Sequence, residues 1–183
     1  MFYFPIQDNA QLRLLLPSHA PELFTLVDQN RKHLRQWLPW VDNVKRYNDS
    51  EVFIKGALDD FAHQNGWQAG IFAGEKIVGC IGYHKFDRAN RKTSLGYWIS
   101  KEYEGKGLVG ASTHALVNYA IKDLGFHRVE IHCATENLKS QRIPERLGFE
   151  HEGTQKESEW LYDHYVDHNV YVMLENRWKQ ANP

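Results

Sequence analysis

The stretch Tyr103-Glu104-Gly105-Lys106-Gly107-Leu108-Val109-Gly110-Ala111 constrains this 183-residue chain more than any other. Three glycines fall within six residues and open directly into an amphipathic run from Ala111 to Lys122. Just upstream, Thr93-Ser94-Leu95-Gly96-Tyr97-Trp98-Ile99 has the character of a strand. A strand, a glycine-rich turn and a helix start together make an anion site. The first N–H groups of a helix point outward along its axis, and the helix dipole adds partial positive charge there. Glycine lets the backbone approach a diphosphate closely. A phosphate-bearing ligand is therefore expected on Gly105, Lys106, Gly107, Leu108, Val109, Gly110 and Ala111.

Two familiar phosphate motifs compete for this stretch. The P-loop needs Lys-Ser/Thr after its second glycine, whereas Leu108 and Val109 follow Gly107 here. The dinucleotide fingerprint Gly-x-Gly-x-x-Gly does match Gly105, Gly107 and Gly110, and Glu136 falls near the place of a ribose-binding acid. Against it stands the segment before residue 100, which has the pattern of hairpins rather than of a parallel βαβ pair.

Apolar residues at 42% and charged residues at 25% are ordinary globular values, and 183 residues suffice for a core in one domain spanning 1–183. With a net charge of −1 and no basic run longer than two residues, a nucleic-acid partner held by bulk charge is not expected. Cys80 and Cys133 both sit in apolar strand-like runs, without a neighbouring cysteine. They fit buried structural thiols of a reducing, cytoplasmic setting. No apolar stretch approaches the roughly 20 residues of a membrane span. Met1-Phe2-Tyr3-Phe4-Pro5 lacks the basic region of a secretory leader.

Along the chain, Gln11 to Leu16 has strand character, and Ser18 can cap a helix whose stripe is Leu23, Leu26, Val27, Asn30 and Leu34. Pro39 ends any helix there and holds Trp37 and Trp40 close together on a loop. Asp49 or Ser50 can cap a second helix carrying Phe53, Ile54, Ala57, Leu58 and Phe61. A hairpin follows, Gln68 to Phe72 and Lys76 to Phe86, then a strand from Lys92 to Ser100, the glycine loop and its helix, and a strand from Arg128 to Ala134. Asn137 opens a short helix that Pro144 interrupts, so that helix is expected to start nearer Ile143, with Asn137 to Arg142 as an irregular turn. Two strands close the order, Glu150 to Glu157 and Tyr165 to Leu174.

That order, with Gly105-Lys106-Gly107 between a strand and a helix and Asn137-x-x-Ser140 before Arg146-Leu147-Gly148-Phe149, resembles the GCN5-related N-acetyltransferases, the GNAT superfamily. Within it the chain resembles the RimJ/RimL type, the ribosomal-protein N-terminal acetyltransferases. Leu12-Arg13-Leu14, Trp37-Leu38 and Trp40, Gly96-Tyr97-Trp98-Ile99, Glu152-Gly153 and Asp167-His168-Asn169-x-Tyr171 carry the likeness over nearly the whole chain. Two positions depart from the family's phosphate loop: Glu104 stands for an Arg or Gln, and Val109 for a small residue.

The resemblance implies an α+β fold, an α/β sandwich with a mixed, mostly antiparallel central sheet of about seven strands and about four helices. It implies acetyl-CoA as co-substrate, no metal, and direct transfer to an amine. Ser140 would donate to the leaving sulfur, and Glu159, in a Glu159-Trp160-Leu161 turn, would take the amine proton through water. Asn137 would fix the turn or the pantetheine amides, and backbone amides near Trp98 and Ile99 would meet the oxyanion. Trp37, Trp40 and Trp160 offer rigid apolar walls for an acceptor chain, or for the contact of a homodimer. The acceptor is expected to be a protein N-terminus, ribosomal by resemblance. A small amine (polyamine, antibiotic or amino acid derivative) is the alternative, and a non-catalytic acyl-CoA-binding module is another, motivated by Glu104 and Val109. His164-Tyr165-Val166-Asp167-His168 is close to a zinc-peptidase signature that needs a helix, but its setting alternates like a strand.

Overall fold

A computed structural model of the chain describes residues 3–7 and 9–182; Met1, Phe2, Asp8 and Pro183 lie outside that description, so the expectation on Met1 to Pro5 falls partly outside it. The chain divides into two compact units, Met1–Gly82 with Tyr97–Ser112, and Tyr83–Gly96 with Thr113–Pro183.

The first unit contains strands β1 (Tyr3–Gln7) and β2 (Ala10–Leu14), helices α1 (Ala20–Gln29), α2 (Arg31–Leu34) and α3 (Tyr47–Ala62), strand β3 (Trp67–Ala73) and most of β4 (Lys76–Tyr83). It also holds the end of β5 (Lys92–Ile99) and the start of α4 (Leu108–Lys122). Its strands follow the order β1-β2-β3-β4-β5. Antiparallel pairing sets Leu12 opposite Ile71, which puts two buried side chains on one face. α3 starts where Asp49 accepts from the backbone N–H of Lys45 and Arg46, at 2.8 and 3.0 Å. Its buried stripe of Ser50, Ile54 and Ala57 follows helical spacing. Leu15, Ala20, Leu23, Ile54, Phe72, Ile77 and Cys80 form one core cluster. Each large side chain there is worth about 1.5–3 kcal/mol of burial. Glycine is required at position 79, because a Cβ there would overlap the Trp98 carbonyl of β5.

The second unit is built on β5, β6 (Arg128–Ala134), β8 (His164–Leu174) and β7 (Glu150–Leu161), in that order. β5 and β6 run parallel, Lys92 opposite Arg128 through Leu95 opposite Ile131. β8 is antiparallel to both of its neighbours, pairing Ile131 with Tyr171 and Cys133 with Asn169. Helix α5 spans Leu138–Arg146 and α6 spans Glu175–Ala181. α6 plants Trp178, fully buried, with its indole N–H 3.3 Å from Asn118 Oδ1 and its ring 4.9 Å from that of His114.

Eight strands and six helices among the described residues extend the expected seven and four without changing the α+β class. The added strand β1 is exposed along most of its length and carries Pro5, as an edge strand can. α2 separates from α1 because Asn30 leaves helical geometry (φ −107°) and turns its side-chain amide back to Leu26 O at 2.9 Å. Two local expectations are corrected. Glu159 and Trp160 lie inside β7 rather than in a turn; the turn falls at Tyr162, with φ 62°, and Asp163. The Asn137 segment is helical from Leu138 onward, with Pro144 inside the helix. No helix among the described residues is long and apolar enough to cross a membrane.

Candidate active site

In the first unit the glycine loop grows out of the end of β5. Ser100 donates its N–H to Val78 O at 2.8 Å, a single 3-10 turn covers Lys101–Tyr103, and Glu104 is extended. Gly105 and Gly107 then take φ of 73° and 79°, the left-handed region that side chains disfavour. α4 starts at Leu108, and Ala111 closes its first turn by donating to Gly107 O at 3.0 Å. A Cβ on Gly105 or Gly110 would meet nothing within 4 Å, so the loop stands against open space. A Cβ on Gly107 would come 3.1 Å from the Gln7 amide nitrogen. The Lys106 ammonium rests over the Tyr103 ring, 4.1 Å from its centre, which keeps a cation at the loop. Glu104, the acidic departure from the family loop, lies 3.6 Å from His33 Nε2 of α2.

The tryptophans of this unit divide. Trp40 packs on the cluster of Val27, Leu34 and Val41 and stands 6.0 Å ring to ring from Trp98, itself packed on both cores. Trp37 is half-buried and is tied by its backbone N–H to Leu34 O at 3.1 Å. Trp98 and Ile99 form the end of β5 and lie against Gly79.

In the second unit, Asn137 caps α5, its Oδ1 accepting from Ser140 N–H at 3.1 Å. That bond fixes the backbone of Ser140 in the first turn. The Ser140 hydroxyl lies 3.2 Å from Cys133 Sγ, a buried thiol on β6. Glu159 stands opposite Val166, with Oε2 3.5 Å from His168 Nε2. A bulge between Gln155 and Glu159 delivers it there, held by Asp167, which accepts from Lys156 Nζ and from Glu157 N–H, both at 2.8 Å. Lys156 and that backbone bond keep the Asp167 carboxyl below its usual range. Trp160 is exposed and meets the Tyr165 ring edge-on at 4.8 Å.

The sequence did not single out the Cys133 contact of Ser140, the His168 neighbour of Glu159, or Gln141, which is buried beside Ser140. The available signal was the strand alternation that sets Cys133 and Asn169 opposite each other. His164 and His168 lie on β8, a strand, so the helical pairing of the zinc signature does not apply to them. Among the described residues no group of three or more His, Cys, Asp or Glu is placed to hold a metal ion.

Residues 10–150 match the profile of the acetyltransferase (GNAT) domain. The chain is 34% identical over 180 residues, 98% of each chain, to YdaF of Bacillus subtilis (strain 168), a protein provisionally named a ribosomal N-acetyltransferase. It is 26% identical over 171 residues to the ribosomal-protein-serine acetyltransferase of Escherichia coli (strain K12), covering 92% of this chain and 94% of that one. Among solved structures, RimL, the ribosomal L7/L12 alpha-N-protein acetyltransferase in complex with coenzyme A, superposes with a TM-score of 0.91 at 25% identity, over 96% of this chain and 99% of that one. The microcin C7 self immunity acetyltransferase MccE, in complex with acetyl-CoA and AMP, superposes with a TM-score of 0.88 at 28% identity, over 92% and 94% of the two chains.

Proposed function

Because the chain belongs to the acetyltransferase (GNAT) domain family, we propose that it transfers the acetyl group of acetyl-CoA to the α-amino group of a protein N-terminus, ribosomal by analogy with its relatives. One observation carries the donor side: two left-handed glycines, Gly105 and Gly107, feed the start of α4, with open space at Gly105 and Gly110. Such a turn presents backbone N–H groups and the positive end of the helix dipole to a diphosphate. Binding by backbone tolerates Glu104 and Val109, since neither changes the N–H groups.

Acetyl transfer needs a neutral amine, a polarised thioester carbonyl and a proton for the departing thiolate. An α-amino group has a pKa of about 7.7–8.0, so a carboxylate acting through water suffices near neutral pH. Glu159 takes that role, and the Ser140 hydroxyl supplies the proton to sulfur. The amine adds to the carbonyl carbon, its proton passing toward Glu159, and the tetrahedral oxyanion collapses by breaking the C–S bond; the thiolate takes the Ser140 proton, which solvent restores as Glu159 gives up its own. The backbone N–H groups of Trp98 and Ile99 are assigned to the oxyanion, and the Asn137 amide to the pantetheine arm. Trp37, Trp40 and Trp160 are assigned to the acceptor. The cytoplasm, where Cys80 and Cys133 stay reduced, is the setting proposed for this reaction.

A second acceptor class is a small amine; MccE, a self immunity acetyltransferase, was solved with a small molecule, AMP, beside acetyl-CoA. Release of free thiol from acetyl-CoA, with a panel of peptides bearing N-terminal Ser, Ala or Met and a panel of small amines, separates the two. Turnover on peptides is expected, and turnover on small amines alone would refute the protein acceptor. Acetyl-CoA binding without thiol release on either panel would identify a binding module. Ser140→Ala and Glu159→Gln should each lower kcat by roughly 10²–10⁴-fold with acetyl-CoA affinity unchanged. Full activity in either variant removes that residue from the chemistry.

A further inference from the structure

Pro144 lies four residues after Ser140 inside α5, and a proline has no N–H to give to the carbonyl four residues earlier. The helix ladder is therefore weakened at the residue assigned to protonate the thiolate. Next to Ser140, Gln141 is 6% exposed and fully occupied. Its side-chain amide donates to Ala134 O at 3.0 Å and Thr135 O at 2.8 Å, the last residue of β6 and the first of the turn that follows. Its Oε1 accepts from Asn169 Nδ2 at 3.0 Å and from the Tyr171 hydroxyl at 3.1 Å, both on β8. The outer members are held too. Asn169 Oδ1 accepts from Thr154 Oγ1 at 2.7 Å, and the Tyr171 hydroxyl lies 3.0 Å from Glu145 Oε1 at the far end of α5. Burial, then Glu145, pushes the Tyr171 hydroxyl up to about 12, so it stays a protonated donor.

We propose that Gln141 is a positioning residue for Ser140: its amide bolts the first turn of α5 to β6 and β8 and so sets where the Ser140 hydroxyl points. The proposal rests on the role given to Ser140 above. A glutamine suits the task because one planar group offers two donors to one strand end and one acceptor to the other strand. A satisfied buried network of this kind fixes one arrangement, whereas a half-satisfied one is costly. Asn137 anchors the same turn through the backbone of Ser140, so the hydroxyl is set from two sides.

Gln141→Met keeps the volume and removes every hydrogen bond of the amide. The full-length variant should lose kcat by about tenfold or more while KM for acetyl-CoA stays within about threefold. In a Ser140→Ala background the same change should lower kcat by no more than about twofold, because nothing is left to position. An equal loss in both backgrounds would show a general structural role and overturn the proposal. So would unchanged kcat in Gln141→Met. Should Gln141→Met fail to fold, Tyr171→Phe removes a single donor. It is expected to lower kcat by a few-fold with the same dependence on Ser140, and an equal loss with and without Ser140 overturns the proposal. Full activity of Ser140→Ala overturns it as well, and is distinguishable because the assigned role of Ser140 then falls with it.

Discussion

Gly107 is the position where backbone geometry and ligand binding can be separated by one methyl group. With φ at 79°, an alanine there occupies the left-handed region, at a cost of about 1–2 kcal/mol. Its Cβ would meet only the Gln7 amide nitrogen, at 3.1 Å, the movable end of a long side chain, so the free protein has room for it. For a chain of this size each kcal/mol shifts the midpoint of thermal unfolding by about 2–4 °C. Gly107→Ala should therefore unfold a few degrees early and remain folded at 25 °C. Binding should suffer separately, because the methyl lies on the loop that the diphosphate must approach. A rise of at least tenfold in the Kd of acetyl-CoA, about 1.4 kcal/mol, is expected by calorimetry. Gly125→Ala is the control. Gly125 has φ 70° with nothing within 4 Å of its added Cβ, and it follows the end of α4 rather than preceding its start. It should lose similar stability and keep its affinity. Equal affinity in the two variants would refute the assignment of the diphosphate to this loop.

Trp37→Ala should raise KM for an N-terminal peptide and leave acetyl-CoA affinity unchanged; an equal loss for peptides and small amines would mark Trp37 as structural. Arg128 ties Glu130 and Glu152 together, and both carboxyls lie below the usual value: in Glu130 burial is the largest single influence but Arg128 and His132 together outweigh it, and in Glu152 the Arg128 hydrogen bond dominates. A depressed folded pKa adds stability that is full above the unfolded value, about 4.3, and is lost as pH falls through the folded one. Glu152→Gln should accordingly narrow the stability gap between pH 7 and pH 3 in denaturant titrations, and an unchanged gap would count against the pairing. Burial pushes the Cys80 thiol up, so a thiol-reactive dye should label it only on unfolding; labelling as fast as that of a free thiol would contradict its place in the core.

Much of this was legible in the sequence because the informative signals are local. Gly105, Gly107 and the stripe of α4 sit within one short stretch, and left-handed glycines before a helix have few other uses. Strand character placed β6 and β8; that the two pair, with Cys133, Tyr171 and Met173 on one side of the sheet, is shown by the register of the structure. α6 escaped because its seven residues offer one apolar anchor, Trp178, whose partners Asn118 and His114 lie far back in α4. A turn at Glu159 is what the resemblance implies, and the residues from Glu150 to Glu159, all polar or glycine, interrupt any apolar pattern that would carry a strand further. The bulge pinned by Asp167 absorbs that interruption and lets β7 run on to Leu161.

α5 shows where local rules run out. A proline in a helix interior removes one ladder bond, clashes with the preceding turn and costs about 3 kcal/mol, which argues for a break at Pro144. The helix nevertheless runs from Leu138 to Arg146. What offsets the penalty comes from elsewhere in the chain: the Asn137 cap, burial of Pro144, and the hydrogen bonds that Gln141 makes to β6 and β8. Only the cap is a neighbour in sequence. Asn169 and Tyr171 are about thirty residues away, and no spacing rule links them to Gln141. Ser140 could thus be picked out through the family resemblance that Asn137-x-x-Ser140 helps to carry, while the residue that holds it in place became visible only once β6, α5 and β8 were seen together.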